Sequence, residues 1–310
     1  MTVQDRWKIR QGFALQIVAM TLVLVAGSAM QFYLGSKGLI TTQLMLLALA
    51  VITALIHRTS LKEVFPVRKI GLMEFLGLLS FFAGGYLMNV LLTGISFMIL
   101  PSASSESSVI DVLTVESGPI MAVLTVALLP AICEEAVERG AVMSHFRSVG
   151  KEWAVVLIMG IFFGLFHMSP GRFLNTAFMG ALLTYIMIRK NNILLPVILH
   201  FMNNLMSMFS WAGMEDPKNI SSFMLISFSF PLFLAMGNRL LCPDAFRRRH
   251  LVVAAAASLI LLVAGLGGTY LDLPGISSDN TSLEVKVYSE EIHNDAMIFV
   301  NISTEYLSNI

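Results

Sequence analysis

The stretch MAVLTVALLPAICEEAVERGAV, residues 121–142, reads as one apolar helix whose second half carries Glu134, Glu135, Glu138 and Arg139. Wound as an α-helix it extends roughly 33 Å, enough to cross the roughly 30 Å of hydrocarbon in a bilayer. Ionised side chains at such a depth are costly and face each other or a cavity, so they are candidates for function. Whether the surroundings are lipid decides how the stretch is read.

The remainder of the chain answers for lipid. Of 310 residues, 56% are hydrophobic and 13% charged, and the mean hydropathy is +0.78; soluble domains carry roughly 25% charged residues. Apolar runs long enough to be helical spans are expected at about 13–34, 39–56, 71–92, 117–142, 153–168, 173–188, 193–213, 220–241 and 251–271, with 39–56, 153–168 and 173–188 on the short side. With the N-terminus inside, alternate loops place sixteen Lys and Arg residues on the inner side and leave only Lys37, Arg172, Lys218 and Lys286 outside, as the positive-inside rule requires. The expected fold is all-α: a polytopic transmembrane helix bundle of about eight to nine spans with a short polar C-terminal tail. Residues 1–272 would form the membrane domain, with a catalytic core at about 119–212, and 273–310 a polar acidic tail. The tail's alternating stretches LEVKVY (283–288) and MIFVN (297–301) would pair as a small hairpin or stay disordered.

Other features are quickly weighed. Arg6, Lys8 and Arg10 precede an apolar run containing AGSA (26–29), a signal-peptide pattern, but the run continues through Tyr33 and Leu34, which favours a retained first helix. Cys133 and Cys242 are too few for a disulfide framework or a cysteine metal cluster. The segment 101–116 is a polar outer loop without recognisable chemistry. No nucleic-acid partner is expected, and no internal repeat is visible.

Helical spacing sorts the polar residues. Glu135 and Arg139, four apart, share a face and make an ion pair. Glu134 points about 100° away, and its own i+4 neighbour is the like-charged Glu138. Phe163 and His167 share a face, as do His200 and Asn204. Counted from a tight turn at Gly150–Lys151, Glu134 and His167 lie at equal depth on antiparallel helices, with Ala136 and Gly140 facing Gly160 and Gly164 as small residues at a close contact. The same count leaves His200 shallower. A carboxylate acting on water as general base, with His and Asn donors for an oxyanion, is a hydrolytic constellation. Glu74 reads as an isolated interfacial acid. Cys133 adjoins Glu134 but has no histidine convincingly paired with it.

Three motifs occur in order: EExxxR at Glu134, Glu135 and Arg139, FxxxH at Phe163 and His167, and HxxxN at His200 and Asn204. A second FxxxH, Phe246 to His250, lies in a basic loop as a chance match. The ordered set resembles the CPBP, or Abi, family of intramembrane endopeptidases, which includes the type II CAAX prenyl endopeptidases and bacterial proteins linked to bacteriocin maturation or immunity. That resemblance implies an intramembrane glutamic endopeptidase without bound metal or other cofactor. Glu134 would be the catalytic base, His167 would hold or help activate water, and His200 and Asn204 would bind the oxyanion. Glu135, Arg139 and Phe163 would support them. Its partners would be the lipid bilayer and a membrane-embedded or lipid-linked protein or peptide substrate. The nine-span layout puts the C-terminus outside, and a bacterial cell membrane is the expected location. Two rivals stand beside it: a zinc metallohydrolase using the same Glu and His residues, and a non-catalytic membrane scaffold or immunity protein. A transporter would be expected to show repeats or broken helices.

Overall fold

A computed structural model describes residues 3–100, 118–209 and 225–270. The 101–116 loop and the tail, with its expected hairpin, lie outside the described residues. Among the described residues all regular structure is helical. Helix α1 runs Val3–Thr21 and passes through a π-helical turn, Leu22–Gly27, into Ser28–Leu34. Gly35, at φ 55°, turns the chain into α2, Ser36–Ile56. A Cβ on Gly38 would strike the Met30 carbonyl, so glycine is what lets α2 start against the end of α1. A short α3 (Leu61–Val64) leads to α4 (Leu72–Ile99).

Helix α5 is compound: Pro119–Ala122, a π segment Val123–Leu128, an α segment Leu129–Glu135, and a second π segment Ala136–Val142. Pro130 lacks the N–H that a regular helix would aim at residue 126, and the wider π turn before it accommodates the loss. Then follow α6 (Glu152–Phe166), a 3₁₀ turn (Pro170–Arg172), α7 (Phe173–Lys190), α8 (Leu194–Phe209), α9 (Phe230–Leu241) and α10 (Arg248–Tyr270).

Six helical stretches are long and apolar enough to cross a membrane: Lys8–Leu34, Ser36–Ile56, Leu72–Ser96, Pro119–Val142, Pro170–Lys190 and Arg248–Gly265. Three apolar stretches are shorter: Glu152–Phe166, Leu194–Met208 and Leu225–Leu241. Large apolar side chains such as Phe32, Met98, Ile120 and Ile260 face outward, as lipid contact requires. The protein is an integral membrane helix bundle.

Two apolar clusters hold the bundle. One joins Leu46 and Ala50 of α2 to Cys133 and Val137 of α5 and to Met159 and Phe162 of α6. The other joins Leu78 and Phe81 of α4, Leu183 and Ile186 of α7, and Leu195 and Leu199 of α8. The small-residue expectation is corrected here. Gly160 and Gly164 face α7, where added Cβ atoms would meet Ala177 O at 2.8 Å and Ala177 Cβ at 2.9 Å. Gly140 instead admits the Phe65 ring. The small residues of α5 and α6 thus serve two separate contacts.

The expected inner ends are tied by polar groups. Asn191, left-handed at φ 44°, ends α7. Asn192 bonds the Arg68 backbone in both directions, at 3.0 and 3.2 Å. Arg189 pairs with Glu152 at 2.8 Å. Glu74 is not isolated: it pairs with Lys190 and accepts the Gly71 N–H at 3.1 Å, capping α4.

Candidate active site

The acidic half of α5 is buried: Glu134 is 8% exposed, and Glu135, Glu138 and Arg139 are 1% or less. A charge in such a place needs a hydrogen-bonded partner. The three carboxylates find theirs in different helices.

Glu135 is held from two sides. Its Oε1 accepts from Arg139 Nη1 at 2.9 Å and from His200 Nδ1, on α8, at 2.9 Å. Arg139 also donates through Nη2 to the Gly180 carbonyl of α7 at 2.9 Å and lies over the Phe163 ring of α6, 4.5 Å from its centroid. One guanidinium therefore spans α5, α6 and α7. A Cβ on Gly180 would collide with the buried Phe163 Cβ, so glycine sets how near α7 approaches.

Phe163, 2% exposed, is the common wall. Its ring meets His167 edge-on at 4.7 Å and His200 at 5.5 Å between centroids. His167 caps the C-terminus of α6, its Nδ1 2.8 Å from the Phe163 carbonyl. The next residue, Met168, takes a left-handed φ of 50°, uncommon for a side chain with a Cβ. That turn stops the helix at His167 and sends the chain into the Pro170–Arg172 turn.

Proton positions follow from these partners. A carbonyl only accepts, so His167 Nδ1 carries a proton; Glu135, ionised beside Arg139, only accepts, so His200 Nδ1 does too. Each ring keeps Nε2 for the site. His200 Nε2 stands 4.0 Å from Glu134 Oε2, too far for a direct bond and suited to bridging through one water. Glu134 Oε2 is buried and has no hydrogen-bond partner among the described residues, as is also true of Glu135 Oε2 and Glu138 Oε2. Asn204 follows His200 by one turn of α8 and is half-buried.

Sequence reading missed the two neutral amides that serve the remaining acids. Gln43 Nε2 of α2 donates to Glu134 Oε1 at 3.1 Å, and Gln16 Nε2 of α1 donates to Glu138 Oε1 at 2.9 Å. Polar amides inside the apolar runs FALQIV and QLMLLALA were the available signal. His200, counted as too shallow, reaches both Glu134 and Glu135. Among the described residues no three His, Cys, Asp or Glu side chains gather closely enough to hold a metal ion.

Residues 116–206 match the family model described as type II CAAX prenyl endopeptidase Rce1-like. The match spans α5 to most of α8 and includes Glu134, Glu135, Arg139, Phe163, His167, His200 and Asn204, bearing out the resemblance that the ordered motifs carry. It leaves α1 to α4, α9 and α10 outside. No curated protein and no solved structure matches the chain. Family match and apolar helices together support an integral membrane protease of the CAAX type, acting on membrane protein substrates.

Proposed function

We propose that the chain is an intramembrane glutamic endopeptidase that hydrolyses peptide bonds of a membrane-embedded or lipid-linked protein or peptide, with Glu134 as general base. The observation that carries this reading is the contrast between neighbouring acids. Glu134, Glu135 and Glu138 each keep a buried Oε2 without a hydrogen-bond partner among the described residues, but Glu135 is tied through its other oxygen to Arg139 and His200, while the free oxygen of Glu134 faces His200 Nε2 at 4.0 Å.

In the proposed reaction a water placed at Glu134 Oε2, with His167 helping to hold it, gives its proton to that carboxylate as its oxygen adds to the scissile carbonyl carbon. The Asn204 amide donates to the resulting oxyanion. His200 serves as the second donor, through a proton on Nε2. Collapse of the tetrahedral intermediate breaks the C–N bond, and the proton held by Glu134 passes to the leaving amine. A positioned general base contributes typically 10² to 10⁴ in rate, and an oxyanion donor about 2.7–4 kcal/mol. The excess of Lys and Arg in alternate loops supports an inner N-terminus.

The test is Glu134→Gln, which keeps shape and removes the base. Membrane peptidomics should show precursors accumulating in the variant and not in the wild type, with the unfolding midpoint unchanged. Wild-type turnover by a folded Glu134→Gln protein would reject the proposal.

A further inference from the structure

Glu134 is held by a residue outside the family-matched segment. Gln43 sits on α2, and its Nε2 lies 3.1 Å from Glu134 Oε1. Its own Oε1 is buried without a partner among the described residues, so the amide's one hydrogen bond to a described side chain is spent on that carboxylate. Nitrogen toward the carboxylate is the orientation an ionised acid requires, since the reverse would set two acceptors against each other.

A carboxylate on a flexible stem can rotate about its last bond, and either oxygen could then turn to the water. Fixing Oε1 removes that freedom and leaves Oε2 to face His200 Nε2 at 4.0 Å. Pre-set orientation of this kind acts on the chemical step rather than on substrate capture. We propose that Gln43 is a positioning residue for Glu134, supplied by the N-terminal helices to a core that otherwise carries its own machinery. This rests on Glu134 being the general base.

Two variants test it. Gln43→Met keeps length and bulk but has no donor; Gln43→Asn keeps an amide too short to reach Glu134. The probe is the precursor peptide that accumulates in Glu134→Gln membranes, presented to purified protein in lipid vesicles. Both variants are expected to lower kcat roughly tenfold, about the worth of one hydrogen bond to a charged group, with KM within about twofold of wild type and the unfolding midpoint unchanged. Wild-type kcat in either folded variant overturns the positioning role. So does an effect on KM alone, a loss that tracks lowered stability, or recovery by Asn. Turnover of the precursor by Glu134→Gln, or the absence of any accumulating precursor, overturns the general-base reading itself, whatever Gln43 does.

Discussion

His200 Nδ1 stands 2.9 Å from Glu135 Oε1, the same oxygen that receives Arg139 Nη1. The second glutamate thus fixes the tautomer of the histidine and is itself fixed by the arginine. Brace and chemistry become separable, and each can be perturbed by itself.

Removing the brace should cost stability. Arg139→Met leaves Glu135 buried without its ion-pair partner, and a loss of about 3–5 kcal/mol is expected on breaking such a pair. Arg139→Lys should recover only part of it, because an ammonium cannot bond Glu135, bond Gly180 O and lie flat on Phe163 together. Denaturant unfolding in micelles measures both; a lysine variant as stable as wild type would contradict the three-way role.

Removing an oxyanion donor should cost rate. Asn204 is half-buried, so Asn204→Ala is expected to leave the unfolding midpoint nearly unchanged while kcat falls about 10²- to 10³-fold. Steady-state kinetics on the accumulated precursor read this directly. A loss under about threefold would take Asn204 out of the site.

Chelation separates the glutamic reading from the zinc rival. Prolonged treatment with a strong chelator is expected to leave the rate unchanged, and elemental analysis to find less than stoichiometric zinc. Loss of activity that zinc alone restores would favour the rival.

Acidification should weaken the fold through His145, beyond the end of α5. Burial first, then His57 and Lys8, hold its imidazole below the ordinary histidine range; the His57 ring is 5.0 Å away. With the folded value lowered, the unfolded chain binds the proton more readily, so stability is full above about pH 6.5 and is lost as pH falls below it. The unfolding midpoint should drop between pH 7.5 and 5, and less steeply in His145→Gln. Equal slopes would exclude the residue as a source.

Within the described residues all nine expected apolar segments correspond to helices, because runs of that length and hydropathy have no other way to satisfy their backbone in lipid. The Glu135–Arg139 pair was legible too, being local. Partners across helices were not. Gly160 and Gly164 announce a close contact, but nothing in their spacing says whether α5 or α7 fills it. Gln16 and Gln43 carry no charge and so did not stand out as ionisable groups do, and Glu138 was left without an assigned partner. Depth counting misjudged His200 because it takes the turn before α6 to be tight at Gly150–Lys151, whereas residues 145–151 are not helical and Glu134 lies correspondingly nearer the end of α5.

Those π segments also bear on insertions and deletions. A π turn holds one residue more than the α turn it replaces. Deleting a residue within Ala136–Val142 would therefore leave a helix that hydropathy reads as intact. Because the wide turn already absorbs one residue, that deletion would also leave Glu134 facing Gln43 and Glu135 facing His200, whereas a deletion in a regular α turn would swing the residues on one side by about 100° relative to the other. The second half of α5 is thus the place where the helix holds a residue in reserve.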